Sequence, residues 1–126
     1  MMVICRRNME NTIFYLSSCS TCKRIINDLK QIRSFKKIDL KISPINEIEL
    51  NILFKYSKSF EKLFNKRCQL IKKMNLNLKS LNENDFKKLI LSHYTFLKRP
   101  MILFNNNLFI GNNKETIAKL KKALNE

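Results

Sequence analysis

The order of hydrophobic periods along the chain is what most narrows the folds open to it. Thr12-Ile-Phe-Tyr-Leu16 is a short β-prone run that passes into the polar stretch Ser17-Ser18-Cys19-Ser20-Thr21. A helical period follows, with Ile25, Ile26, Leu29 and Ile32 on one face and Lys23, Arg24, Asp28 and Lys30 elsewhere. From Phe35 to Ile42 the pattern alternates in part, through Ile38, Leu40 and Ile42, and predicts a second strand. The chain therefore opens as a βαβ unit, with a Cys-x-x-Cys pair where its first strand meets its helix.

Pro44 breaks the chain, and Asn46 can cap a helix that carries Glu47 and Glu49 in its first turn. The pattern is helical from Ile48 to Met74, interrupted around Ser57–Ser59. Asn82 to His93 predicts another helix, with Phe86, Leu89, Ile90 and His93 at helical spacing, Asn82 as its cap and Asp85 at the third position. Arg99-Pro100 ends the next loop. Met101-Ile-Leu-Phe104 and Leu108-Phe-Ile110 flank three asparagines and predict a β-hairpin, since Asn tolerates left-handed turn conformations. Lys114 to Leu124 predicts a closing helix with Ile117, Leu120 and Leu124 inward. A βαβ unit, a helical segment and a ββα unit in that order make a thioredoxin-like α/β fold with an inserted helical subdomain. Neither a repeat nor a linker interrupts it, so 11–126 is read as a single domain. Residues 1–10, Cys5 included, are read as an N-terminal extension outside the functional argument, with Met9 a candidate start.

A chain of 126 residues buries roughly two-thirds of its unfolded surface and needs no disulfide to fold. No apolar stretch approaches the roughly 18–20 residues of a membrane-spanning helix. The opening Met-Met-Val-Ile-Cys-Arg-Arg lacks the apolar core of a secretory signal, so a cytoplasmic protein with reduced thiols is expected. The net charge of +15 invites a nucleic-acid reading. Against it, the lysines are spread along the whole chain, and the abundance of Lys, Asn, Ile and Phe beside one glycine fits drift toward AT-rich codons. Aromatic and basic residues do not interleave in the manner of a base-stacking surface. Direct nucleic-acid binding is not expected; attraction of anionic substrates is.

The thiolate is the reactive form of cysteine, and an ordinary thiol near pKa 8.5 is only a few per cent ionised at neutral pH. Cys19, at the N-terminal end of the first helix, faces unpaired N–H groups and the positive end of the helix dipole. Lys23 and Arg24 add charge in the first turn. Cys22, one turn further in, can attack a mixed disulfide formed at Cys19. Cys19 is thus the candidate nucleophile and Cys22 the candidate resolving thiol. A zinc site needs more ligands than this pair, and Cys68 and the single histidine, His93, each stand far away, so no metal is expected. A phosphatase-type loop needs an arginine where this chain has Ile25.

Four stretches together resemble the arsenate reductase family that includes the Spx regulators. They are Ile13-Phe-Tyr-Leu-Ser-Ser-Cys-Ser-Thr-Cys-Lys-Arg24, Leu63-Phe-Asn-Lys-Arg67, Phe96-Leu-Lys-Arg-Pro-Met-Ile102 and Phe109-Ile-Gly-Asn-Asn-Lys-Glu-Thr-Ile117. The resemblance spans Thr12 to Leu124. It implies a cis peptide before Pro100, and Cys19 as the cysteine that attacks arsenate. It also implies oxyanion binding by Arg99, Arg67 and Ser20, and release of arsenite by glutathione with glutaredoxin, or by a thioredoxin system. Arginine suits the role because its planar fork meets an oxyanion in bidentate fashion. The glutaredoxin-coupled reductases usually lack the Cys22 thiol and carry a further arginine where this chain has Asn112. The Spx branch often has the cysteine pair, uses it as a redox switch and binds the RNA polymerase α subunit. A monomer without a bound cofactor is expected on either branch. Outside the site, Cys68 is weighed as a bystander thiol against a third redox partner. His93 is read as packed or capping, Lys121 and Lys122 as a solvated face, and Phe35, Phe60 and Phe86 as core.

Overall fold

The computed structural model describes residues 10–126; the readings of Cys5 and Met9 lie outside them. In chain order the elements are β1 (Thr12–Tyr15), α1 (Ser20–Asp28), β2 (Lys36–Asp39), α2 (Glu47–Ser57), α3 (Phe60–Leu63), α4 (Leu70–Lys73), α5 (Glu83–Ser92), β3 (Met101–Phe104), β4 (Asn107–Ile110) and α6 (Lys114–Leu124). Short 3₁₀ turns occupy Gln31–Ser34, Leu78–Ser80 and Tyr94–Phe96. The chain forms two compact units, one from the described residues up to Ser43 together with Arg99–Glu126, the other Pro44–Lys98.

The first unit is a four-stranded mixed sheet in the order β2-β1-β3-β4. β1 runs parallel to β2, with Tyr15 opposite Asp39, and antiparallel to β3, with Ile13 opposite Ile102. The parallel pair requires a crossover, which α1 and the 3₁₀ turn supply. β1 is central and buried on both faces, which is why it reads as an unbroken apolar run rather than an alternation. On one face Ile13 and Ile102 meet Ile25 and Leu29 of α1, Ile32 and Phe35, and Leu120 and Leu124 of α6. Each such side chain contributes on the order of 1.5–3 kcal/mol through removal from water. The Phe35 ring stacks on Phe104 at 5.6 Å. Glu126 accepts hydrogen bonds from the N–H groups of Lys30 (2.9 Å) and Gln31 (3.1 Å), tying the end of α6 to the 3₁₀ turn.

Two predicted elements and one loop come out shorter. α1 stops at Asp28, because Leu29 is extended, and Ile32 reaches the core from the 3₁₀ turn instead. β2 stops at Asp39, whose carbonyl accepts from Ile42 N–H (3.1 Å) and Ser43 N–H (2.8 Å) and turns the chain, leaving Ile42 exposed. The hairpin loop is two residues rather than three: Asn105 and Asn106 take positive φ (47° and 65°), and Asn107 already pairs with Phe104. The single glycine, Gly111, sits at φ +82° just past β4 and donates its N–H to the Pro100 carbonyl (3.0 Å).

In the helical unit, Asn46 and Asn82 cap α2 and α5, as the sequence predicts, and each closes a capping box, with Glu49 and with Asp85. The continuous helical pattern from Ile48 to Met74 is broken twice. Lys58 ends α2 in the left-handed conformation, and Ser59 caps α3 at the predicted interruption. A second break was not foreseen: Phe64 pairs with Leu97 as an isolated bridge, with Asn65 N–H donating to Phe96 (2.7 Å) and Lys98 N–H to Leu63 (2.8 Å). Backbone drawn into that bridge cannot continue a helix. Phe64 packs against Phe86 (4.9 Å) and Phe96 (5.3 Å), with Phe60 against Phe54 (4.4 Å). Among the described residues no helix is long and apolar enough to cross a membrane.

Candidate functional site

The site begins where β1 leaves the sheet. Leu16 is buried, and the chain then turns, with Cys19 N–H donating to the Leu16 carbonyl at 3.0 Å. Asp39, opposite Tyr15 on β2, reaches this turn with its side chain: Oδ1 accepts from Ser17 N–H and from Lys41 N–H, each at 3.2 Å. Cys19 is the N-cap of α1, in extended conformation (φ −94°, ψ 112°), and its carbonyl accepts from Lys23 N–H (3.2 Å). As a thiol its side chain makes no capping hydrogen bond; as a thiolate it faces the N–H groups of Thr21 and Cys22. Cys22 falls one turn later, on the helix face shared with Ile25 and Leu29, and is fully buried. Cys19 is half-buried; both thiols are free.

Burial works against ionisation of Cys19, but other influences outweigh it. The Cys22 N–H and side chain, the Thr21 N–H and the Arg99 charge all favour the thiolate and hold the pKa below that of an ordinary thiol. Cys22 goes the other way, pushed up to about 11. Burial is the main cause; a hydrogen bond from Leu16 and the Arg99 charge oppose it only in part, and the Cys19 side chain adds to it by hydrogen bond and by charge. The two thiols thus differ in acidity with depth: one ionisable and reachable, one buried and protonated.

Arg99 is half-buried and precedes the buried Pro100 through a cis peptide. Its charge reaches both thiols, whereas Lys23 and Arg24 lie exposed on the first turn of α1. Ser20 is the first residue of α1 and is exposed. Arg67 belongs to the helical unit, in the turn between α3 and α4, exposed, with its N–H donating to Asn65 Oδ1 (3.1 Å). The structure therefore builds one cluster from Cys19, Cys22 and Arg99, and the sequence reading missed Asp39. Nothing in Lys36-Lys-Ile-Asp39 announces that residue; only the β1–β2 register brings it beside the cysteine turn.

Cys68 is buried in the helical unit. Its thiol donates to Thr95 Oγ1 (3.3 Å), which lies 2.7 Å from His93 Nδ1. His93 caps the 3₁₀ turn by accepting from Thr95 N–H (3.2 Å), so the three side chains bind one turn to another. Among the described residues no group of three or more His, Cys, Asp or Glu side chains gathers as a metal site.

The profile of the ArsC family matches residues 14–120. Among curated proteins, the chain is 27% identical over 113 residues to the regulatory protein MgsR of Bacillus subtilis (strain 168), covering 88% of this chain and 90% of the relative. It is also 27% identical over 110 residues to the global transcriptional regulator Spx 2 of Bacillus anthracis, covering 85% and 83%. Two solved structures share the fold. An ArsC-family related protein from Bacteroides fragilis superposes with a TM-score of 0.73 at 21% identity, over 90% of this chain and 100% of the other. An arsenate reductase from Vibrio cholerae superposes at 0.73 and 17% identity, over 90% and 98%. The order β2-β1-β3-β4, the cysteine pair at the mouth of α1 and this match over most of the length agree: the chain belongs to the ArsC family, with its thioredoxin-like fold.

Proposed function

We propose that the protein is a thiol–disulfide redox protein in which Cys19 attacks and Cys22 resolves. The observation that carries this is the pairing of a half-buried thiol with a lowered pKa and a fully buried thiol one helical turn away. On a disulfide, the Cys19 thiolate attacks one sulfur and the other leaves as a thiolate. Cys22 then loses its proton and attacks Cys19 Sγ; the Cys19–Cys22 disulfide forms and the second half of the substrate departs as a thiolate. Resolution is timed by the first step. While Cys19 is ionised, its charge and hydrogen bond keep Cys22 protonated; in the mixed disulfide that charge is gone and Cys22 ionises more readily.

On arsenate, Cys19 displaces water from arsenic(V). Attack of Cys22 on Cys19 then releases arsenite, with arsenic gaining two electrons and the two thiols losing them. Arg99, with Ser20 by the family resemblance, holds the oxyanion; glutathione with glutaredoxin, or thioredoxin, returns the dithiol in a reducing cytoplasm. The test is arsenate-dependent consumption of reductant by wild type and by Cys19→Ser. Equal rates remove arsenate as the substrate.

The names of the curated relatives favour a second reading, in which the same dithiol is a switch. The protein would then act as a regulator that docks on the RNA polymerase α subunit in one redox state. Capture of the α C-terminal domain by the reduced and by the oxidised protein tests it, and no capture in either state retires it.

A further inference from the structure

We propose that Asp39 is a positioning residue for Cys19, tethering to the sheet the turn that presents the thiol; this rests on Cys19 being the working thiol. Asp39 is itself held from both sides. Leu40 N–H donates to the Tyr15 carbonyl (2.8 Å), closing the β1–β2 ladder beside it. Beyond it, Ile42 N–H (3.1 Å) and Ser43 N–H (2.8 Å) converge on its carbonyl. With its backbone anchored, the side chain has two torsions left, and Oδ1 is committed to the N–H groups of Ser17 and Lys41.

The ends of the turn it grips are held by the buried Leu16, whose N–H meets the Cys22 thiol, and by Lys23 N–H on the Cys19 carbonyl (3.2 Å). Between Tyr15, the last residue of β1, and Ser20, the first of α1, the backbone bond inside the turn is Cys19 N–H to the Leu16 carbonyl (3.0 Å). That bond closes the turn without fixing its tilt on the sheet. Ser17 N–H points outside the ladder, and the Asp39 carboxylate is its partner across the sheet. The Ser17 hydroxyl bonds the same carboxylate, which holds the Asp39 carboxyl below the usual range and keeps it an acceptor. The lowered pKa of Cys19 depends on its sulfur facing the N–H groups of Thr21 and Cys22. A turn free to rock about Leu16 would swing the sulfur off those donors, although no contact between Asp39 and the sulfur is involved. Because hydrogen bonds lose strength steeply as they bend, a small rotation is enough.

The experiment is the pH profile of iodoacetamide alkylation at Cys19, read by peptide mass in wild type, Asp39→Ala and Asp39→Asn, with melting temperature as a companion. At about pH 6.5, Asp39→Ala is expected to react roughly three- to tenfold more slowly, with its midpoint moved upward. Asp39→Asn, which keeps an oxygen for both N–H groups, should stay within about twofold of wild type. A purely structural role lowers the melting temperature of Asp39→Ala and leaves the Cys19 midpoint where it was; that result overturns the proposal, as does an asparagine variant as slow as alanine. Should the alanine variant not fold, amide exchange in wild type decides: Ser17 must exchange more slowly than its neighbour Ser18, and equal rates sink the tether. A wild-type Cys19 profile like that of a free cysteine is a distinct outcome, because it removes the thiolate reading itself and the tether with it.

Discussion

The side chain of Cys22 hydrogen-bonds to that of Cys19, and the contact moves the two thiols apart in acidity: it lowers the pKa of Cys19 and raises that of Cys22. The same bond therefore favours ionisation at Cys19 and opposes it at Cys22. Replacing Cys22 by alanine removes the donor, so the Cys19 pKa should rise. A hydrogen bond contributing about 0.5–1.5 kcal/mol corresponds to roughly two- to tenfold slower alkylation of Cys19 below its midpoint. Cys22→Ser keeps a hydroxyl donor and should fall between. The check is the alkylation rate against pH for the three proteins, and a Cys22→Ala profile superimposable on wild type contradicts the assignment.

Arg99 favours the thiolate of both cysteines through its charge. Arg99→Gln should move the Cys19 midpoint upward, and Arg99→Lys, which keeps the charge but not the planar fork, should move it less. Anion binding should separate the two variants further, because a point charge cannot make the bidentate contact that an oxyanion accepts from arginine. Protection of Cys19 from alkylation by added arsenate or phosphate measures this, with Arg99→Lys expected to protect several-fold less well than wild type.

Burial of Cys22 also makes stability depend on pH at the alkaline end. Its pKa is pushed from the ordinary thiol range up to about 11 in the folded protein, so the folded state holds that proton more tightly than the unfolded chain does. The stabilisation is present in full below about pH 9 and is lost as pH climbs toward about 11, with an upper bound of about 3 kcal/mol. Urea unfolding of wild type against Cys22→Ala at about pH 8 and about pH 10.5 isolates the thiol. The wild type should lose more stability between the two, and parallel losses would mean that the buried thiol is not the cause.

How much of this was legible in the sequence depended on whether the cause was local. The caps at Asn46 and Asn82 were readable because each bonds a backbone N–H three residues on. The closing helix Lys114–Leu124 matches its prediction end to end, since the inward stripe and the acceptor at Asn113 lie within one segment. The position of Cys19 and Cys22 at the strand–helix junction was equally local. What failed needed partners distant in sequence: the bridge of Phe64 to Leu97 that cuts the predicted helix, and the reach of Asp39 across the sheet to Ser17. Cys68 could not be ranked from sequence because Thr95 and His93, which hold its thiol, lie 27 and 25 residues away.

Glu83 offers a test of the same lesson in the helical unit. It is the first residue of α5, yet its carboxylate caps a different helix: Oε1 accepts from Phe60 N–H (2.6 Å), and Oε2 accepts from Glu61 N–H (3.1 Å) and from the Ser59 hydroxyl (3.3 Å). α3 is one turn long and cannot hold itself together in water, so its formation leans on this carboxylate and on the packing of Phe60 against Phe54. Glu83→Ala should cost about 1–2 kcal/mol in urea unfolding, the range for a lost cap with charged acceptors, although the site is wet enough for water to replace part of it. Glu83→Gln keeps one oxygen but turns an NH₂ group toward a donor, so it should recover less than half of the loss. Amide exchange at Phe60 and Glu61 locates the effect. Both must speed up in Glu83→Ala, and unchanged exchange there would show that α3 stands without the cap.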